Sequence, residues 1–228
     1  MGVSFQDDGV AEVERGARAR TRRLMLDTAI ALMQQGETPS VSDVAEAAEV
    51  SRATAYRYFP SQADLVHAVV DEALGPILGW QSESGNAAER VEDLLELTMP
   101  RIVEFEATFK AALKLSLEQW AQRQAGTLGE EPPFKRGHRV ELLQSAIAPL
   151  RKTLPRRQFQ RLAQALSLVY GLEAVIILKD LWGLEDRETR NVAQWAAQAL
   201  VRAAVNEAAA AKRKQLGKNP GRATARKR

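Results

Sequence analysis

Three serines, at positions 40, 51 and 61, cut the N-terminal part of this chain into helices too short to persist alone. Each offers a side-chain oxygen that can take up the first free amides of a helix. Asp43 follows Ser40 by three residues and Asp64 follows Ser61 by three, a capping-box spacing whose acid is one carbon shorter than the preferred Glu. Val44, Ala45 and Ala48 give the helix after Ser40 one small apolar face, enough for about two turns. The helix begun by Ser51 must end near Phe59, because Pro60 disfavours helical backbone in the residue before it. The helix opened by Ser61 turns Leu65 and Val69 inward, with Val66 and Ala73, and stops at Gly75-Pro76. Upstream, Met25, Ala29, Leu32 and Met33 recur at i, i+4, i+7 and i+8, which predicts a helix over about 18–35 ended by Gly36. Four short helices over 18–74 can only survive packed on one another.

The rest of the chain is helical too. After the connection "GWQSESGNAAE", longer helices are expected at 87–104, 106–124, 135–152, 155–181 and 186–212, with Pro100 and Pro149 kinking or ending helices locally. No β-alternation or βαβ rhythm occurs, so the fold class is all-α. With 228 residues the chain can bury a sizeable core. No apolar run approaches the roughly 18–20 residues needed to span a bilayer. The N-terminus lacks the apolar core of a signal peptide, which predicts a cytoplasmic protein without membrane contact.

The chain has no cysteine and two histidines, His67 and His138. Disulfides, thiolate metal sites and multi-histidine metal sites are therefore excluded, and no cofactor or metal is expected. The net charge of +3 is concentrated at the end, where residues 212–228 carry eight Lys and Arg and no acid. Without them 24 basic residues stand against 29 acidic ones, so nucleic-acid binding must rest on a local patch or on the tail. Residues 1–17 are expected to be a disordered arm and residues 212–228 a disordered basic tail.

The stretch "SRATAYRYFPSQADL", Ser51–Leu65, holds two of the three tyrosines. On a helix begun by Ser51, Ala55 and Phe59 share the face that goes to the core, leaving Arg52, Thr54, Tyr56, Arg57 and Tyr58 outward. No acid occurs between Val50 and Gln62. A short helix, a tight turn and a second helix with this inventory are what major-groove reading requires.

The segment "TPSVSDVAEAAEVSRATAYRYFPSQADL" resembles the helix-turn-helix of the TetR/AcrR family of transcriptional regulators. Ser40, Val41, Val44, Ala45, Ala48, Val50, Ser51, Thr54, Ala55, Tyr56, Tyr58, Phe59, Ser61 and Leu65 carry the likeness. It implies an all-α homodimer, with an N-terminal helix-turn-helix DNA-binding domain (18–66) and a larger effector-binding and dimerisation domain (67–211). The expected role is a repressor released from a palindromic operator in double-stranded DNA by a small-molecule effector. Thr54, Tyr56 and Tyr58 would contact DNA from the recognition helix and Ser40 from the helix before it. Arg52 and Arg57 are added as base or backbone contacts, with Thr21 and Arg22 as phosphate contacts. Two positions depart from the family pattern. Glu49 stands where the turn usually has Gly, a strain of roughly 1 kcal/mol if its φ is positive. Gln62 stands where Lys is usual, which removes one charged phosphate partner; Arg15, Arg18, Arg20, Arg22, Arg23 or the tail are placed to compensate.

In the larger domain Met99, Phe105, Phe109, Trp120, Phe159 and Tyr170 are the candidate pocket lining. Leu166, Val169, Ile176, Ala196, Ala199, Leu200 and Ala203 are the candidate dimer interface. Two other roles are compatible with the composition: a helical enzyme using acids such as Glu104, Glu106, Glu118, Glu173 or Asp180, and an architectural protein bound to DNA through its tail.

Overall fold

The computed structural model describes residues 7–130, 132–134 and 137–217. Among them there is no strand, and no helix is long and apolar enough to cross a membrane. The helices are α1 (Asp7–Gln34), α2 (Val41–Ala47), α3 (Arg52–Tyr58), α4 (Gln62–Leu74), α5 (Ala87–Glu104), α6 (Glu106–Ala125), α7 (His138–Ala146), α8 (Arg156–Leu166), α9 (Leu172–Val175) and α10 (Asp186–Gly217). They form two compact units. One comprises residues 1–75 and 105–135, the other residues 76–104 and 136–228. The division departs from the expected boundary at 66 and 67, because α6 returns to the N-terminal unit.

In the first unit the caps work as the serines suggest. Ser40 accepts from the Asp43 amide at 3.2 Å while the Asp43 carboxylate accepts from the Ser40 amide at 2.8 Å. Ser51 accepts from the Thr54 amide, and Ser61 from the Asp64 amide. Phe59 leaves the helical region at φ −134° just before Pro60. Met25, Leu26, Ala29 and Met33 of α1 meet Val41, Val44 and Ala45 of α2, Ala55 and Phe59, Leu65, Val66 and Val69 of α4, and Ala111, Ala112 and Leu115 of α6 in one core. Gln119 is buried on α6, and its carboxamide oxygen accepts from the Phe134 amide at 2.7 Å. This fixes Phe134 against His67, with ring centroids 4.6 Å apart.

The turn between α2 and α3 is a Schellman motif. The Val50 amide reaches the Ala45 carbonyl at 2.8 Å and the Glu49 amide reaches Glu46 at 3.1 Å. Its geometry needs a left-handed residue, and Glu49 has φ 55°, the only positive φ at a non-glycine among the described residues. The Cβ of Glu49 carries that strain. Glu49→Gly is therefore expected to stabilise the unit by about 1 kcal/mol. A urea titration in which the variant unfolds no later than the parent would contradict this.

The second unit is built on α5 and α10. Ala193, Ala197, Val201 and Ala204 form the buried stripe of α10, while α5 contributes Val91, Leu94, Leu95, Met99 and Ile102 to the core. Gln198 donates to the Ala88 carbonyl at 2.9 Å, tying the two helices in register. The Arg90 guanidinium caps α7 through the carbonyls of Ser145 and Ala146.

Several expected boundaries change. Helix α1 starts at Asp7, inside the stretch expected to be a disordered arm, because Gly9 and Gly16 are outnumbered by the good helix formers Ala, Glu and Arg. Helix α10 continues to Gly217, since "AAAAKRKQL" favours helix until glycine stops it; residues 218–228 of the expected tail lie outside the described residues. Pro100 stays inside α5, whereas Pro149 falls in a short 3-10 turn, Ala148–Lys152, beyond the end of α7. The helix expected over 155–181 breaks after Leu166 and resumes at Leu172, passing into a π-helix at Ile176–Leu181. Gly171, at φ 99°, permits that break. A side chain there would meet the Arg139 guanidinium at 3.1 Å, and Arg139 pairs with Glu173 and donates to the Ser167 carbonyl at 3.3 Å.

Candidate nucleic-acid interface

Helix α3 turns one face inward through Ala55, with Phe59 at its end, and the opposite arc is exposed: Arg52, Ala53, Tyr56 and Arg57. Tyr56 is 44% exposed, and its hydroxyl shares a hydrogen bond of 3.3 Å with that of Ser42 on α2. The bond steadies the ring against the neighbouring helix. Thr54 and Tyr58 are half-buried. Thr54 accepts from the Ser51 hydroxyl at 2.9 Å, and Tyr58 packs against the core. Both are therefore less outward than the helical spacing alone predicts.

Around this arc the charges are arranged by neighbours. The Asp43 carboxyl is held below its ordinary value by the Ser40 amide first, then by the Ser40 hydroxyl, with attraction from Arg52 adding to both. A carboxyl depressed in this way contributes stability that is present above its unfolded value and is lost as pH falls through the folded one. Arg22 is exposed, with its guanidinium 5.6 Å from the centre of the Phe59 ring. The Thr21 hydroxyl donates back to the Ala17 carbonyl at 3.1 Å. Arg23, expected to help offset the missing lysine, is tied to Asp27 at 2.9 Å and to Glu72 at 2.5 Å. Those carboxylates raise the Arg23 pKa, the Asp27 hydrogen bond most. Arg15 lies among residues whose side chains fall outside the description; Arg18 and Arg20 are exposed.

Gln62 has an internal task that the sequence did not reveal. Its amide nitrogen donates to the carbonyls of Thr38 and Pro39, both at 3.0 Å. The residue that replaces the usual lysine thus fastens the loop leading into α2. Two further residues were missed. Ser42 was read only as a helix position, and Ala53 was passed over because it has no polar group, although it lies between Tyr56 and Arg57 on the helical projection.

The six expected pocket residues divide between the units. Phe105, Phe109 and Trp120 belong to the first, where Trp120 is 58% exposed; Met99, Phe159 and Tyr170 are buried in the second. A cavity of about 350 Å³ in the second unit is lined by Leu95, Glu96 and Met99 of α5 and by Arg187, Arg190, Asn191 and Gln194 of α10. Met99 alone of the six reaches it. Phe159 packs beneath Arg151, whose guanidinium is 4.5 Å from the ring centre. Tyr170 donates to the Thr98 hydroxyl at 3.2 Å, and Thr98 donates to the Leu94 carbonyl. Burial pushes the Tyr170 hydroxyl up from 10.0 to about 12, against smaller opposing effects of Thr98 and Arg139. The unfolded chain releases this proton first, so stability falls as pH rises from 10.0 towards about 12. Tyr170→Phe is expected to remove that part of the alkaline loss, at about 1 kcal/mol near neutral pH. Urea unfolding of both proteins across the alkaline range checks the difference.

Of the expected interface residues, Leu166 is fully buried in the core of its own unit and cannot meet another copy. Val169, Ile176, Ala196, Ala199 and Leu200 are half-buried, and Ala203 is exposed. The large apolar side chains left open in the same region are Leu168, Ile177, Leu181, Trp182, Val192 and Trp195, with Trp195 70% exposed. On α10, Val192, Trp195, Ala199 and Ala203 make a stripe opposed to the buried one.

Among the described residues no cluster of three or more His, Asp or Glu side chains is placed to hold a metal. Of the acids that an enzyme would use, Glu104, Glu106, Glu118 and Glu173 pair with Arg101, Lys110, Lys114 and Arg139.

A two-turn helix, a Schellman turn and a second short helix with an open, acid-free arc define a helix-turn-helix protein. Residues 25–69 match the family model described as bacterial regulatory proteins, tetR family. Over 57 residues it is 44% identical to the HTH-type transcriptional repressor LfrR of Mycolicibacterium smegmatis (strain ATCC 700084 / mc(2)155). That match covers 25% of this chain and 30% of the relative, so the likeness spans less than a third of either protein.

Proposed function

We propose that the protein is a cytoplasmic, non-enzymatic transcriptional repressor that binds a palindromic operator as a homodimer and leaves it when a small effector binds. The observation that carries this reading is the exposed arc of α3, where Arg52, Ala53, Tyr56 and Arg57 face outward with no acid among them. Ser40 and Arg22 flank it as phosphate donors, and the name of the matched relative supports repression. The exposed apolar side chains of the π-helical segment Ile176–Leu181 and of α10 suit a second copy, whose twofold axis would pair two α3 helices with two half-sites. The cavity between α5 and α10 is large enough for a small molecule.

Selection of bound fragments from random duplex DNA by the full chain tests the reading. Two inverted half-sites are expected, about one helical turn or a multiple of it apart. Tyr56→Ala should bind the selected operator about tenfold more weakly, equivalent to roughly 1.4 kcal/mol, while keeping its oligomeric state. A selection that enriches no sequence would overturn the proposal.

A further inference from the structure

The exposed arc of α3 has a centre and two flanks. At 3.6 residues per turn, Arg52 and Tyr56 lie on the side towards α2, Arg57 lies on the other, and Ala53 falls between Tyr56 and Arg57. Tyr56 is drawn towards α2 through Ser42, and the charge of Arg52 acts on Asp43 at the start of α2. Among the exposed positions of the arc, Ala53 carries the smallest side chain, a single methyl group, with the longer side chains of Tyr56 and Arg57 on either side.

A helix in the major groove meets base edges through its N-terminal residues and the phosphates through its flanks. Ala53 is the second residue of α3, directly after Arg52, so it lies at that end. A short side chain there lets the helix backbone sit close to the groove floor. The methyl group has no donor or acceptor to spend, and the major groove offers one apolar group of its own, the C5-methyl of thymine.

We propose that Ala53 is a specificity-determining residue that reads a thymine in each operator half-site through methyl–methyl contact. The inference rests on the DNA-binding reading above and adds to it a base identity at the centre of the arc. Removing the thymine methyl removes the contact and leaves every hydrogen-bonding group of the base pair unchanged.

The test uses the full chain and the operator recovered by selection, with each thymine replaced in turn by deoxyuridine. For the parent protein, one replacement per half-site is expected to weaken binding about fourfold, the worth of one buried methyl group, with the others neutral. In Ala53→Ser, which keeps the helix and replaces the methyl by a hydroxymethyl group, the same replacement should make no difference; Ala53→Gly should behave alike. If every deoxyuridine operator binds the parent as well as the thymine operator does, Ala53 reads no methyl and the inference falls. The same follows if the penalty is equal in the parent and both variants. If selection enriches no sequence at all, the DNA-binding reading fails and this inference goes with it.

Discussion

Replacing Phe59 by alanine is expected to lower the stability of the helix-turn-helix unit by about 3–5 kcal/mol and to abolish operator binding. Phe59 is 2% exposed and sits where α3 ends, so its ring is the chief anchor of a helix only seven residues long. Ala55 is the only buried residue within α3 itself. Without the ring, a cavity opens among residues contributed by α1, α2, α4 and α6, and Arg22 loses the face it stacks on. A helix this short has no stability of its own to fall back on. The second unit has its own core and should keep its helical signal, so urea unfolding followed by circular dichroism is expected to become two-step. A variant that unfolds in one step at the parent's midpoint would show that α3 is anchored elsewhere.

The second large effect is expected from Leu181→Glu combined with Trp195→Glu. Both side chains are at least 70% exposed, and neither supports the core of its own unit, so the fold should survive. If these residues hold two copies together, placing a carboxylate at each removes two buried anchors worth about 2 kcal/mol or more apiece. The dimer dissociation constant should rise roughly a thousandfold. Sedimentation equilibrium at micromolar concentration would then find a monomer, and operator binding would weaken sharply because one recognition helix must work without its twin. A doubly substituted protein that still sediments as the parent does would place the interface on another face.

What could be read from the residues was local. Ser40, Ser51, Ser61 and Pro60 fixed the short helices because caps and proline act within a few residues. The span 87–104 emerged unchanged as α5, with Pro100 inside it. The strain at Glu49 was expected only through the family pattern, which usually has Gly there, and its φ of 55° meets that condition. Long-range contacts were not legible. Gly171 lies in an apolar run that resembles a helix, and the break there is filled by Arg139, from a different helix. Gln62 looked like a weakened phosphate contact because nothing in the sequence shows that the carbonyls of Thr38 and Pro39 lie within its reach. Leu166 was placed at a surface because its spacing suits a packing stripe, and spacing does not say which partner the stripe meets. Trp120 went the other way: it was expected to line a pocket, and it is left in the open.

The return of α6 to the N-terminal unit has a practical meaning for anyone who wants to move this reading head to another protein. Excising residues 1–75 as a cassette would take α1–α4 and leave behind Ala111, Ala112, Leu115 and Phe134, which complete their hydrophobic seal. The transplant would carry a bare apolar flank, prone to clumping. Because the polypeptide passes between the two units three times, a functional graft must bring the 105–135 segment as well, spliced back through a short engineered bridge. Modularity here belongs to three-dimensional neighbourhoods, and a linear cut does not respect it.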